Sequence, residues 1–356
     1  MTPNLATASS KVCLALVVGL ATVVASGCGG DAERAPREVV LVTHDSFAIS
    51  KDVHGAFERE SGLRLRILQG GDANEMLNRA LLTAGNPEAD VIFGIDDSVL
   101  SRALESDLLD EYRAAGLADV EDAYGDPEPR VTPIDHGEVC LNVDLAFFAD
   151  RGLSPPRRLE ELSLPRYRNL LVVENPATSS PGLAFLFATV ARFGEDGWQG
   201  YWRSLRANGV LAVDGWEEAY TQQFSGAAGS PGKKPIVVSY ATSPAAEVIF
   251  AAKPPVTAPT EAIEDGCYRQ VEYAGVLRGA RNEEGARALI EFMLSERFQA
   301  DVPGSMFVYP VREGVGLPEA FVEHAIVPDE PLALTPAEIE AGRDRWVDEW
   351  TRIVVR

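Results

Sequence analysis

Short continuous apolar runs alternate along this chain with stretches whose apolar positions recur at helical spacing. Val39 to Val42 is the first run, and it stops abruptly at Thr43, His44, Asp45, Ser46 and Phe47. Such a run reads as a buried strand whose polar end reaches a ligand. A helix carrying Val53 and Phe57 follows and ends at Gly62. Leu63 to Leu68 is a second strand closed by Gly70, Gly71 and Asp72, and the next helix, about Ala73 to Thr83, places Met76, Leu77, Ala80 and Leu81 on one face. Ala89 to Ile95 is a third strand ending in Asp96 and Asp97. Asp45, Asp72, Asp96 and Asp97 at successive ends of a parallel sheet would face one crevice and favour a cation there. Asp97 or Ser98 reads equally well as a plain helix N-cap.

The segment from Asp126 to Pro133 breaks this alternation and predicts a crossover into a second sheet beginning at Ile134 to Val143. There, strand Leu170 to Val173 leads to the turn Glu174 to Gly182 and an apolar helix, Leu183 to Ala191. The hydroxyls of Ser179 and Ser180 with the free N–H groups of that helix start suit an anion; they also suit an unliganded capping turn. The strand Ile236 to Val238 runs into Ser239, Tyr240, Ala241, Thr242, Ser243 and Pro244. Trp216 and Tyr240, each beside small polar residues, read as two flat walls of one pocket, with ordinary core as the competing reading. Val271 to Leu277 is a returning strand, Glu283 to Met293 an amphipathic helix, and Thr335 to Arg356 a final helix opened by a near capping box, Thr335 to Glu338. The pattern predicts an α/β fold of two lobes with a ligand cleft between them. Its expected divisions are a signal at 1–28, a tether at 29–37, the first lobe at 38–132, the second at 133–243 and a return to the first lobe over 244–356.

The length of 356 residues fits about two domains. A formal net charge of −22 argues against nucleic acid as a partner and is compatible with a cationic ligand. Lys11 followed by the apolar run Val12 to Val24 reads as a signal peptide, too short to persist as a span. It ends in Ala25, Ser26, Gly27 and Cys28, which resembles a lipobox, so Cys28 is expected to carry a lipid anchor; a plain cleaved signal is the alternative. The protein is then extracytoplasmic, tethered to a membrane surface without spanning it. Of the other cysteines, Cys140 and Cys267 suit a disulfide in an oxidising compartment, with a reactive thiol as the alternative.

The strings His44 to Phe47, Ala89 to Asp97, Thr178 to Leu183, Gly215 to Tyr220, Ser239 to Pro244 and Tyr309 to Val311, in that order, resemble the thiamine-binding extracytoplasmic proteins of bacterial ABC transporters. The resemblance implies a type II two-lobed binding protein, monomeric, that closes on thiamine or its phosphates and docks on a membrane permease. It implies no cofactor, metal or catalytic residue. Carried over by position, Trp216 and Tyr240 would contact the ligand's rings with Phe307 opposite, and Asp72 would accept from the aminopyrimidine. Ser179 and Ser180 would meet the hydroxyethyl end or a phosphate, and His44, Asp45, Asp96 and Tyr220 would line the same cleft. Better-known members have tyrosine where His44 stands and tryptophan where Phe307 stands. Two alternatives share the fold. One binds another solute, such as a polyamine or a ferric ion, the latter held by Tyr240 and Tyr309; the other is a thiaminase-like enzyme using Cys140 with Glu138 or Glu272.

Overall fold

Buried runs rich in β-branched residues form strands such as Glu38–Thr43, Val91–Asp96 and Ile236–Tyr240, as their composition favours. In the computed structural model, which describes residues 37–121, 124, 128–251 and 257–356, the chain runs β1 (Glu38–Thr43), α1 (Lys51–Ser61), β2 (Arg64–Gln69), α2 (Ala73–Leu82), β3 (Val91–Asp96) and α3 (Leu100–Glu105). It continues through β4 (Thr132–Asp144), α4 (Leu145–Asp150), β5 (Leu171–Glu174), α5 (Ser180–Phe193), α6 (Trp198–Ala207), β6 (Leu211–Val213) and the single turn α7 (Trp216–Glu218). Then come β7 (Ile236–Tyr240), α8 (Ser243–Ile249), β8 (Thr260–Val276), α9 (Glu283–Met293), α10 (Glu296–Ser305), β9 (Tyr309–Pro310), α11 (Glu319–His324) and α12 (Pro336–Val354). The expected signal, the tether up to Pro36 and Cys28 lie outside the described residues, as do Asp126 and Pro127 of the expected crossover.

Local chemistry sets the helix ends. Ser50 caps α1 by accepting from the Val53 amide, and Gly62 ends it at φ 70°. Thr335 and Glu338 complete a reciprocal capping box at α12. The strands form one sheet in the order β2-β1-β3-β8-β4-β7-β5-β6, with β9 on β4. β1 lies parallel to β2 and β3, and β5 parallel to β6 and β7. Between these two groups run β4 and β8, antiparallel to each other and to their outer neighbours β7 and β3. The early part of β8 pairs its Thr260 and Ile263 with Asp144 and Leu141, whereas its late part pairs with β3 and the start of β4. Both long strands therefore cross from one half of the sheet to the other. β8 begins well before the expected Val271 because Glu264, Asp265 and Gly266 interrupt its apolar pattern at an irregularity opposite Val139–Leu141. There Cys140 and Cys267 form a disulfide, S–S 2.01 Å.

Two helical layers bury the sheet faces. Beside the second group of strands, Trp202 of α6 meets Trp350 of α12 edge-on at 5.4 Å and donates its indole N–H to Thr189. Phe57 of α1 and Phe292 of α9 pack likewise beside the first. Each such aromatic contributes about 2–3 kcal/mol by leaving water.

Candidate functional site

The polar strand ends line a cavity of about 480 Å³. β1 stops at Thr43 and delivers His44 and Asp45 to its wall. The His44 ring lies against Gly94, where a Cβ would sit 2.4 Å from its Cδ2, so only glycine at φ 95° leaves room. Burial draws the His44 pKa down to about 4, so the imidazole is neutral near pH 7. Its Nε2 lies 3.6 Å from Glu272 Oε1 and has no hydrogen-bond partner.

Asp72 stands at the start of α2 without capping it. Its carboxylate instead reaches the other half of the molecule, accepting from the Ser180 amide at 2.9 Å and the Trp216 amide at 3.2 Å. Burial raises its pKa to about 6 against the pull of these donors. Trp216 is fixed by its indole N–H, which donates to Ser239 Oγ at 2.9 Å, and by Tyr220, stacked at 5.1 Å and 15°. Tyr220 donates its hydroxyl to Glu247 at 2.8 Å. The Tyr240 ring meets Trp216 edge-on at 6.3 Å and lies over Gly137, where a Cβ would approach it to 2.8 Å. Phe307 completes the opposite wall at φ 59°, a left-handed conformation rare for a bulky residue, with its carbonyl accepting from the Thr242 hydroxyl.

The cavity wall thus brings together His44, Asp45, Asp72, Ser180, Trp216, Tyr220, Tyr240 and Phe307. Asp96 and Ser179 lie behind it, both fully buried. Asp96 accepts from the Ser98 amide and from Gln270 Nε2, both at 2.7 Å; Gln270 in turn accepts from the Tyr240 hydroxyl at 3.3 Å. Asp96 therefore stands one layer back, behind Gln270 and Tyr240. At the α5 N-terminus the Ser180 amide already has an anionic partner, Asp72. Tyr309 stacks on His136 at 5.2 Å and donates to Ile326 O, so it does not converge with Tyr240. Cys140 is bonded to Cys267.

The residue pattern left Glu217 and Glu247 unmarked, and it considered Glu272 only as a base for Cys140; all three line the cavity. Their signals were available. Gln270 and Glu272 alternate with Val271 and Tyr273 along β8, and Glu247 is the one charged residue of the apolar α8. Burial raises the pKa of Glu217, Glu247 and Glu272. Among the described residues the wall contains five carboxylates, Asp45, Asp72, Glu217, Glu247 and Glu272, and neither lysine nor arginine. Flat aromatic faces beside acidic side chains that lack a described counter-cation suit a small organic cation.

A cavity at the junction of two half-sheets, crossed by two shared strands, defines an α/β binding protein of the two-lobed type II periplasmic architecture. The family model of bacterial extracellular solute-binding proteins matches residues 86–335, and the chain belongs to that family. It is 32% identical over 328 residues to the thiamine-binding periplasmic protein of Escherichia coli, covering 89% of this chain and 94% of that relative. The thiamine-binding periplasmic protein of Salmonella typhimurium is 31% identical over 324 residues, with the same two coverages. A solved structure described as a periplasmic thiamin binding protein superposes with a TM-score of 0.80 at 29% identity, covering 90% of this chain and 96% of its own.

Proposed function

We propose that this chain captures thiamine outside the cytoplasm and delivers it to an ABC transporter permease, held at a membrane by a lipid on Cys28. The observation that carries this reading is the cavity's pairing of Trp216, Tyr240 and Phe307 with five carboxylates and no described lysine or arginine. Thiamine offers two flat rings and a permanent thiazolium charge, so aromatic faces and anions are the complementary chemistry. Trp216 and Tyr240 contact the rings, with Phe307 opposite. Asp72 keeps free lone pairs beside its two amide donors and accepts from the aminopyrimidine. Ser180, which reaches the wall, takes the hydroxyethyl end in place of Ser179. Each phosphate would add negative charge to an already acidic wall, which favours unphosphorylated thiamine. The Cys140–Cys267 bond supports binding over thiol-dependent cleavage, since cleavage of that kind requires a free thiolate. The working division into lobes at 38–132, 133–243 and 244–356 belongs to the same proposal, the crossings themselves lying inside β4 and β8.

Calorimetric titration of the protein beginning after Cys28, stripped of ligand by unfolding and refolding, tests the reading with thiamine, its monophosphate and its diphosphate. Tight one-to-one binding with thiamine first is expected. Absence of heat with all three at transport-relevant concentrations would sink the assignment.

A further inference from the structure

Three neighbouring strands place a carboxyl group at one level of the sheet. In register, Asp96 of β3 and Asp135 of β4 both stand opposite Glu272 of β8. Asp96 is satisfied by Ser98 and Gln270. Asp135 is different: it is fully buried, and among the described residues no amide, hydroxyl or base donates to either of its oxygens. What faces it is the carboxyl group of Glu272, whose other side forms part of the cavity wall.

Two carboxyl groups in contact, with no cation beside them among the described residues, hold together only while they share a proton. Among the described residues the surroundings offer no substitute charge. From the end of β1 come His44, neutral near pH 7, and Asp45; from the start of α2 comes Asp72. From the end of β3 come Asp96 and, just beyond it, Asp97, from β7 the Tyr240 hydroxyl and from α7 Glu217. The nearest arginine along β8, Arg269, is engaged with Glu138 at 2.9 Å. A monocation entering the cavity would supply the missing positive charge.

We infer that the Asp135–Glu272 pair holds one proton in the ligand-free protein and releases it to solvent when a permanent organic monocation binds. The exchange balances: the protonated pair plus the cation gives the doubly ionised pair with the cation bound and one proton in solution. This rests on the thiamine reading and gives that site a pH-dependent affinity. Protons compete with the ligand, so binding strengthens as pH rises through the titration of the pair, by up to about tenfold per pH unit for one proton.

The test has two arms. Thiamine is titrated at pH 7 in buffers of different ionisation enthalpy, with the wild type, Glu272→Gln and Asp135→Asn. The expected result is about one proton released per thiamine by the wild type and near none by the variants. Tight binding with no release, or release unchanged in both variants, overturns the inference and leaves the thiamine reading intact. In the second arm, the infrared spectrum of the ligand-free protein at pH 7 should show a protonated carboxyl band that is lost in Glu272→Gln and in Asp135→Asn. Its absence from both difference spectra overturns the inference whatever thiamine does. If the band is present and thiamine gives no heat, the functional reading fails and the exchange with it, the shared proton alone surviving.

Discussion

Asp90 and Asp135 are both buried aspartates of the sheet, and their surroundings are opposite. Asp90, just before β3, accepts from the Val40 amide at 2.8 Å and from the Arg281 and Asn282 amides at 2.9 Å, tying β1 and the start of α9 to its strand. Asp135 receives no such donor and faces another carboxyl group beside the cavity. A buried carboxylate surrounded by amides is part of the scaffold, whereas one left facing its like lowers stability and is kept for another purpose. The tryptophans divide in the same way. Trp202 is sealed between α5, α6 and α12, and Trp216 presents a face to the cavity.

The widest separation between the two regions should come from the tryptophans. Trp202→Ala opens a core cavity and is expected to cost about 3–5 kcal/mol in denaturant unfolding while the folded protein keeps its thiamine affinity. A variant that stays stable would show the α6–α12 layer to be looser than its packing implies. Asp90→Ala strands three amides and is expected to cost about 3 kcal/mol, again without a change in affinity. Trp216→Ala and Tyr240→Ala should do the reverse. They are expected to weaken thiamine binding by about 100-fold, on the order of 2.7 kcal/mol, with melting temperatures shifted far less than by Trp202→Ala. Equal losses of stability in all of these variants would erase the distinction between wall and scaffold.

The scaffold was the more legible part. β1, β3, α9 and the capping of α12 announce themselves through apolar runs, helical spacing and Thr335 with Glu338, because each is a local pattern. So are the strand ends at His44, Asp45 and Tyr240. What the pattern could not supply is partnership across the sheet. Asp96 looks as much like a ligand residue as Asp72 until register shows it held by Gln270, and Asp135 looks unremarkable until Glu272 is found opposite. Register between strands more than a hundred residues apart is set by the whole fold. Ser179 and Ser180 were likewise indistinguishable as neighbours, and only the folded wall separates them, Ser180 lining the cavity and Ser179 buried behind it.

The smallest effect expected is also the sharpest on the Asp135–Glu272 pair itself. Burial raises the Asp135 pKa to about 7, well above the ordinary aspartate value of about 3.9. Between those values the native state holds a proton that the unfolded chain has lost, so stability must fall as pH rises through that window. Asp72, raised to about 6, acts in the same direction. His44 opposes them: with its pKa drawn down to about 4 from about 6.5, it adds stability as pH rises between those two values and nothing above. Above about pH 6.5 the carboxyl pair is therefore unopposed by His44, and one proton corresponds to at most about 1.4 kcal/mol per pH unit. Glu272, which burial and the facing Asp135 push well above the ordinary glutamate value, carries the loss past pH 7. The ligand-free wild type should accordingly lose melting temperature between pH 6.5 and 8, and Glu272→Gln, which gives Asp135 a neutral amide donor, should flatten that loss. Parallel curves for the two proteins would mean that the Asp135–Glu272 pair does not titrate there, and that Asp135 belongs with Asp90 after all.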